Sequence, residues 1–318
     1  MKNLIIGGIV VGLLGYGGAK LYLHNEVSSA MDQAVMMATP FAKIEYDGVS
    51  SSLTGELTVD GLTVRIVGYR DEIYVDRFGI DTPSFFALMD LFDPMKLQSE
   101  GLPDYLGFIV EGVRIPVHAD YFADLHEFTL EASGITEVSD AAEKCTGKYG
   151  FSPTALSALG YDEQVLSMSM YLRDEDSSFA FDMSVNMQDM WDLQADIDLA
   201  GNMMTELMKG PAYRPKLGSM RLEYTDRSLN GRVVEYCESL GLSQLETLRA
   251  QVDSFKYIGS NNGIEFDQYM LDPYKEFLKG KSTLVVTAKP NEPIAFSQID
   301  LYKPSDVPAL LNLAAAAR

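Results

Sequence analysis

Between Leu166 and Leu199 the chain changes polarity at every second residue. Leu166, Met168, Met170 and Leu172 alternate with Ser167, Ser169, Tyr171 and Arg173. After a polar break at residues 174–178, Phe179, Phe181, Met183, Val185 and Met187 alternate with Ala180, Asp182, Ser184, Asn186 and Gln188. Leu193, Ala195, Ile197 and Leu199 then alternate with Asp192, Gln194, Asp196 and Asp198. A two-residue period places successive side chains on opposite faces of an extended strand. Three such runs predict an antiparallel meander with one apolar and one wet, acidic face. Met220, Leu222 and Tyr224 add a further strand.

The apolar face needs cover, and helical spacing follows the meander. Residues 229–240, 243–255 and 264–278 are candidate helices; in the second, Leu245, Leu248, Val252 and Phe255 recur at intervals of three and four. Residues 283–288 and 294–303 predict strands. Residues 307–317 predict a helix, with Ser305 or Asp306 as its cap. Strand runs separated from helix runs argue for an α+β fold rather than a doubly wound sheet.

The N-terminal half carries an alternation with a fault in it. Across "SSSLTGELTVDGLTVRI" at 50–66, Leu57 and Val59 are apolar at odd positions, whereas Leu62, Val64 and Ile66 are apolar at even ones. Either Asp60-Gly61 is a hairpin turn, or the strand carries a bulge that flips its side-chain phase. The same shift recurs in "IYVDRFGI" at 73–80, in "VEGVRI" at 110–115 and in "FSQIDL" at 296–301. Only two of the four have glycine at the second shift position; Arg77 and Gln298 would strain a turn that needs positive φ there. Bulged, bent strands accommodate all four. Residues 56–67 and 72–81 are therefore predicted to be adjacent antiparallel strands forming part of a curved sheet. Pro83 to Leu91 reads as a short helix capped by Ser84, and 153–159 as another. The rest of 119–160 shows no clean period.

The chain opens with an uncharged run from Leu4 to Ala19, followed by Lys20 and Leu21-Tyr22-Leu23. As a helix, 4–23 would span about 30 Å, the thickness of a hydrocarbon core. Lys20, Tyr22 and His24 stand where a signal peptide would carry small residues for cleavage, which favours an uncleaved anchor. Lys2 favours a cytoplasmic N-terminus, with the body outside the inner membrane. Without Lys2 and Lys20 that body has 23 basic and 46 acidic residues. Such a balance argues against nucleic acid, whose phosphates require clustered Lys and Arg. The expected layout is a transmembrane anchor at 1–23, a short helix from 25 to 37 leading into a bent antiparallel sheet with short helices at 24–140, and the meander with a helical portion at 141–318.

Cys145 and Cys237 are the sole cysteines. In an exported body they either close one disulfide or remain two buried thiols. Neither they nor the scattered His24, His118 and His126 have metal-ligand spacing. Asp226, Ser228, Asn230 and Gly231 match half a calcium loop, but its twelfth position is Cys237; a helix entry capped by Ser228 or Asn230 fits better. No nucleophile elbow, phosphate loop or zinc motif occurs, so neither an enzyme nor a cofactor is expected. The notable apolar feature is a methionine-rich face. Met168, Met170, Met183, Val185 and Met187 lie on it, with Met203, Met204 and Met208 beyond. Either the helices cover this face as ordinary core, or it forms a groove open to lipid, for which flexible thioethers are suited.

The span, the short helix, "YDGVSSSLTGELTVDGLTVRI", "EIYVDRFGID" and the Pro83 helix together resemble the start of AsmA-like and TamB-like inner-membrane proteins of Gram-negative bacteria. The resemblance covers residues 1–116 and rests chiefly on the S-L-T-G-x-L-T-V-x-G-L run at 52–62. It implies a membrane-anchored β-groove concerned with phospholipid movement or envelope assembly. The chain is short for a groove spanning the periplasm and ends in helical sequence instead. The expectation is a non-enzymatic periplasmic protein on a single inner-membrane span, binding lipid or a protein partner through an apolar groove. The alternative is a structural or assembly subunit of a membrane complex with no lipid ligand.

Overall fold

The computed structural model describes residues 38–93, 102–132, 140–175, 178–201, 216–299 and 301–318, with isolated positions at 29, 32, 35, 36, 95, 96 and 138. The proposed span at 4–23 and Met203, Met204 and Met208 lie outside the described residues, as does most of the helix expected at 25–37. Among the described residues no helix is long and apolar enough to cross a membrane.

Among the described residues twelve antiparallel strands form one sheet: β1 (Ala42–Glu45), β2 (Gly48–Ser51), β3 (Glu56–Ile66), β4 (Ile73–Asp81), β5 (Tyr105–Pro116), β6 (Glu163–Glu175), β7 (Ser178–Met187), β8 (Trp191–Ala200), β9 (Lys216–Asp226), β10 (Thr283–Ala288), β11 (Ile294–Ala295) and β12 (Ala314–Ala317). Their order is β1-β3-β4-β5-β6-β7-β8-β9-β10-β12, with β2 also on β3 and β11 on β9. The expected α+β class, the β3–β4 pair and the β6–β9 meander are all present. A division at 140/141 does not interrupt the sheet, because β5 and β6 pair from Tyr105↔Arg173 to Pro116↔Glu163.

The phase fault is a kink that crosses three strands along one line. β3 and β4 keep one register from Glu56↔Asp81 to Val64↔Ile73, so Gly61 falls opposite Asp76. β4 and β5 keep theirs from Asp81↔Gly107 to Tyr74↔Arg114, so Asp76 falls opposite Gly112. Gly61 and Gly112 have φ of +64° and +62°, where an L side chain is strained. A residue added to one strand only, as a simple bulge requires, is therefore absent between β3, β4 and β5. It appears where β5 meets β6: the register shifts between Val110 and Val113, and the Gly112 N–H donates to Ser167 Oγ at 3.1 Å. One apolar face results on both sides of the line. Val59, Phe78, Val110, Met168, Val185 and Leu193 are successive partners, as are Leu62, Val75, Val113, Leu166, Met187 and Trp191. The opposite face carries charge, including Arg77 between Asp60 (3.0 Å) and Glu111 (3.5 Å).

The helices are α1 (Phe85–Leu91), α2 (Asp120–Ala132), α3 (Ala141–Thr146), α4 (Pro153–Ala158), α5 (Leu229–Ser239), α6 (Gln244–Asn261), α7 (Gln268–Leu278), α8 (Phe296–Ile299) and α9 (Val307–Leu310). Ser84 caps α1 through the Ala87 N–H. Ser243 and Glu246 close a reciprocal capping box on α6.

Two C-terminal expectations fail. The strand at 294–303 stops after Ala295, whose N–H is taken by Gln298 Oε1 at 3.1 Å, and the chain winds into α8. The helix at 307–317 ends at Leu310; Asp306 is its N-cap but makes no side-chain bond to it, and Ser305 Oγ donates to Asp306 Oδ1 instead. Asn312, at φ +46°, then turns the chain so that Ala314–Ala317 pairs with β10. Alanine favours helix intrinsically, but four residues gain more from the open β10 edge.

Candidate functional site

Met168, Met170, Met183, Val185 and Met187 come together in the middle of the apolar face. Met168 pairs with Val185, Met170 with Met183 and Leu166 with Met187. Val110 and Phe108 continue the surface on β5, Leu193 and Ala195 on β8. All five predicted side chains are half-buried.

Three buried clusters surround this patch. Below α1, Leu57 and Leu88 pack with Ile80, Phe85 and Met89. At one end of the strands Phe179, Leu199, Leu217 and Val307 form the second, beneath the C-terminal segment. At the other end lie Val117, Cys145, Leu156, Met190, Val233 and Cys237, with Met187 at their margin. Among the described residues Met168, Met170, Met183 and Val185 belong to none of the three. Among the described residues the helices thus pack at the ends and flanks of the face, and the methionine centre stands between them, half-buried.

The flank at β9 is aromatic. Tyr224 meets Trp191 at 6.0 Å and Phe277 at 5.6 Å, and Tyr274 stacks on Phe255 at 4.2 Å. Burial pushes the Tyr274 hydroxyl up to about 12 and raises that of Tyr224 further. Both stay neutral at any physiological pH and act as apolar wall.

Cys145 on α3 and Cys237 on α5 form a disulfide, with Cα atoms 5.2 Å apart across 92 residues of sequence. The expected cap of α5 needs correction. Ser228 Oγ donates to the Asp189 carbonyl and meets Tyr161 Oη at 2.8 Å. Asp226 accepts the Asn230 N–H at 3.0 Å in its place. Its burial raises the Asp226 carboxyl above the ordinary aspartate value. Among the described residues no His, Cys, Asp or Glu cluster could hold a metal ion.

Sequence reading missed α2, which extends over the margin of the third cluster. Its residues Phe122, Leu125 and His126 recur at three- and four-residue spacing, but Leu125 and Phe128 are 59% and 67% exposed. Apolar side chains on both sides of the helix blurred the stripe that identifies it.

A family model described as "Uncharacterized protein" matches residues 181–318, from within β7 to the C-terminus. The matched portion excludes residues 1–116, which carry the AsmA-like and TamB-like resemblance. No curated protein matches the chain.

Proposed function

We propose that this chain is a non-enzymatic envelope protein, held at the inner membrane by residues 4–23, whose methionine face binds the acyl chains of a lipid in the periplasm. The observation that carries the reading is the half-buried centre made by Met168, Met170, Met183 and Val185. A contiguous apolar surface left between packed clusters marks a binding site in soluble domains. Thioethers suit an irregular, mobile hydrocarbon partner because their three rotatable bonds let them repack. The Cys145–Cys237 bridge supports an oxidising compartment. The acidic surface favours a buried acyl chain over adsorption to anionic headgroups.

Native mass spectrometry of the gently extracted full chain tests this. Co-purified phospholipid is expected. The paired change Met170→Asp with Met183→Asp should remove it, while Ser184→Asp on the opposite face should not. Protein without lipid, or lipid retained by the paired variant, would refute the reading. A stoichiometric protein partner in its place would favour the assembly-subunit alternative.

A further inference from the structure

A second apolar site lies beyond the methionine face, under α2. Helix α2, the Tyr149–Phe151 loop, α4, Gln164 of β6, the β7–β8 turn and the start of α5 line an open cavity of about 310 Å³. Phe122, Phe151, Met187, Met190 and Trp191 supply much of its wall. Met190 and Leu156 form a buried floor above the disulfide cluster, and the half-exposed Leu125 stands where the cavity opens. Its described lining contains no Asp, Glu, Lys or Arg, although 22% of the chain is charged.

Few polar groups line it. Thr129 Oγ donates to the Leu125 carbonyl at 2.8 Å, and Tyr149 Oη reaches Glu143 at 3.4 Å. His126 remains. It makes no hydrogen bond or ion pair among the described residues, and burial lowers its pKa, so the imidazole is neutral at physiological pH. A neutral imidazole has one N–H to donate and one ring nitrogen to accept. The site therefore has an apolar body, neutral hydrogen-bonding side chains in His126 and Gln164, and no counter-ion. A cavity at the lower end of the small-ligand range accommodates a molecule of about ten to fifteen non-hydrogen atoms.

We infer that this cavity binds a medium-chain aliphatic molecule with an uncharged head, an alcohol or an ester. The chain lies against Phe151, Met190 and Trp191, and the head oxygen meets His126. A free carboxylate is disfavoured because it would lose water without gaining a cation. This site is distinct from the methionine face, with Met187 the residue common to both.

Trp191 is the protein's sole tryptophan and sits in the cavity wall, so contact quenching by a bromine reports occupancy. The probe is 11-bromoundecanol, titrated into the full chain at pH 8. Saturable quenching is expected, reversed by undecanol, with 11-bromoundecanoate needing at least about tenfold more for the same effect. Leu125→Asp, a change at a half-exposed position, should weaken quenching by tenfold or more. His126→Phe should weaken the alcohol severalfold and leave unfunctionalised bromoundecane unchanged. Unsaturable quenching, equal affinity for the carboxylate, or indifference to Leu125→Asp would overturn the inference. So would competition by 2-naphthol with none by undecanol. The Met170→Asp and Met183→Asp pair separates the two sites. If it abolishes quenching, the probe lies on the methionine face and the cavity assignment fails; if quenching persists where no lipid co-purifies, the cavity stands without the lipid-face reading.

Discussion

Replacing Gly61 by alanine tests the kink where it begins. The residue has φ +64°, and a left-handed L residue costs about 1–2 kcal/mol. Alanine also narrows the unfolded ensemble, which offsets about 0.4–1 kcal/mol of that. The second cost is local. A Cβ at Gly61 would overlap the Asp47 carboxylate, which must swing aside. Asp47 is exposed, so the displacement is a rotamer cost of about 0.5–1.5 kcal/mol rather than a backbone shift. Together these give a destabilisation of about 0.5–3 kcal/mol. Removing the carboxylate first, in Asp47→Ala, should reduce the effect of Gly61→Ala by about 0.5–1.5 kcal/mol. Asparagine, which tolerates the left-handed region, should be nearly neutral at position 61 in that background. Urea unfolding of the four members of the cycle, with m-values compared, supplies the numbers. A Gly61→Ala protein as stable as the parent would show that the positive φ is not enforced. An identical cost with and without Asp47 would remove the carboxylate from the account. Coupling between Val59 and Leu62, absent from the observed pairing with Phe78 and Val75, would restore the hairpin alternative.

Three other outcomes are expected. Reducing the Cys145–Cys237 bridge, or replacing both cysteines by serine, should cost about 4.6 kcal/mol by the loop-closure relation for its 92-residue separation, read as a lower thermal midpoint. Asp226→Asn should raise the thermal midpoint at pH 7. Burial holds the folded carboxyl above its unfolded pKa, so the folded state binds more protons and the parent loses stability as pH rises through that window. The difference should therefore close as pH falls below the ordinary aspartate range; a constant difference would assign the effect to packing instead. Ser243→Ala should cost about 0.5–2 kcal/mol by opening the capping box on α6, with amide exchange accelerating in its first turn.

The strands of the meander were legible because alternation is a local property: each of β6, β7 and β8 declares its two faces without reference to a partner. The β3–β4 pair was legible for the same reason, as were α5 and α6, whose apolar stripes point one way. Recognition of α2 failed because the exposed Phe128 stands off the stripe of Phe122, Leu125 and His126. The alanines at 314–317 were misassigned because their helix propensity is intrinsic, whereas the β10 edge that captures them is 26 residues or more away in sequence. The stretch 294–303 likewise looked strand-like, but the Gln298 side chain takes the Ala295 N–H and the chain winds into α8.

The five residues of the methionine face were identifiable from sequence, since a two-residue period assigns them a common side. Whether that side is core depended on where the helices dock, and no local pattern encodes this. The tertiary structure places α1, the disulfide cluster and the C-terminal segment around the patch and leaves its centre half-buried. It also resolves the fault at Asp60-Gly61. Sequence established that the phase flips in β3, β4 and β5; pairing established that Gly61, Asp76 and Gly112 share one line and that the extra residue is absorbed only against β6. Side-chain direction follows from the backbone of a single strand, but register is a relation between strands, fixed by the burial they gain together.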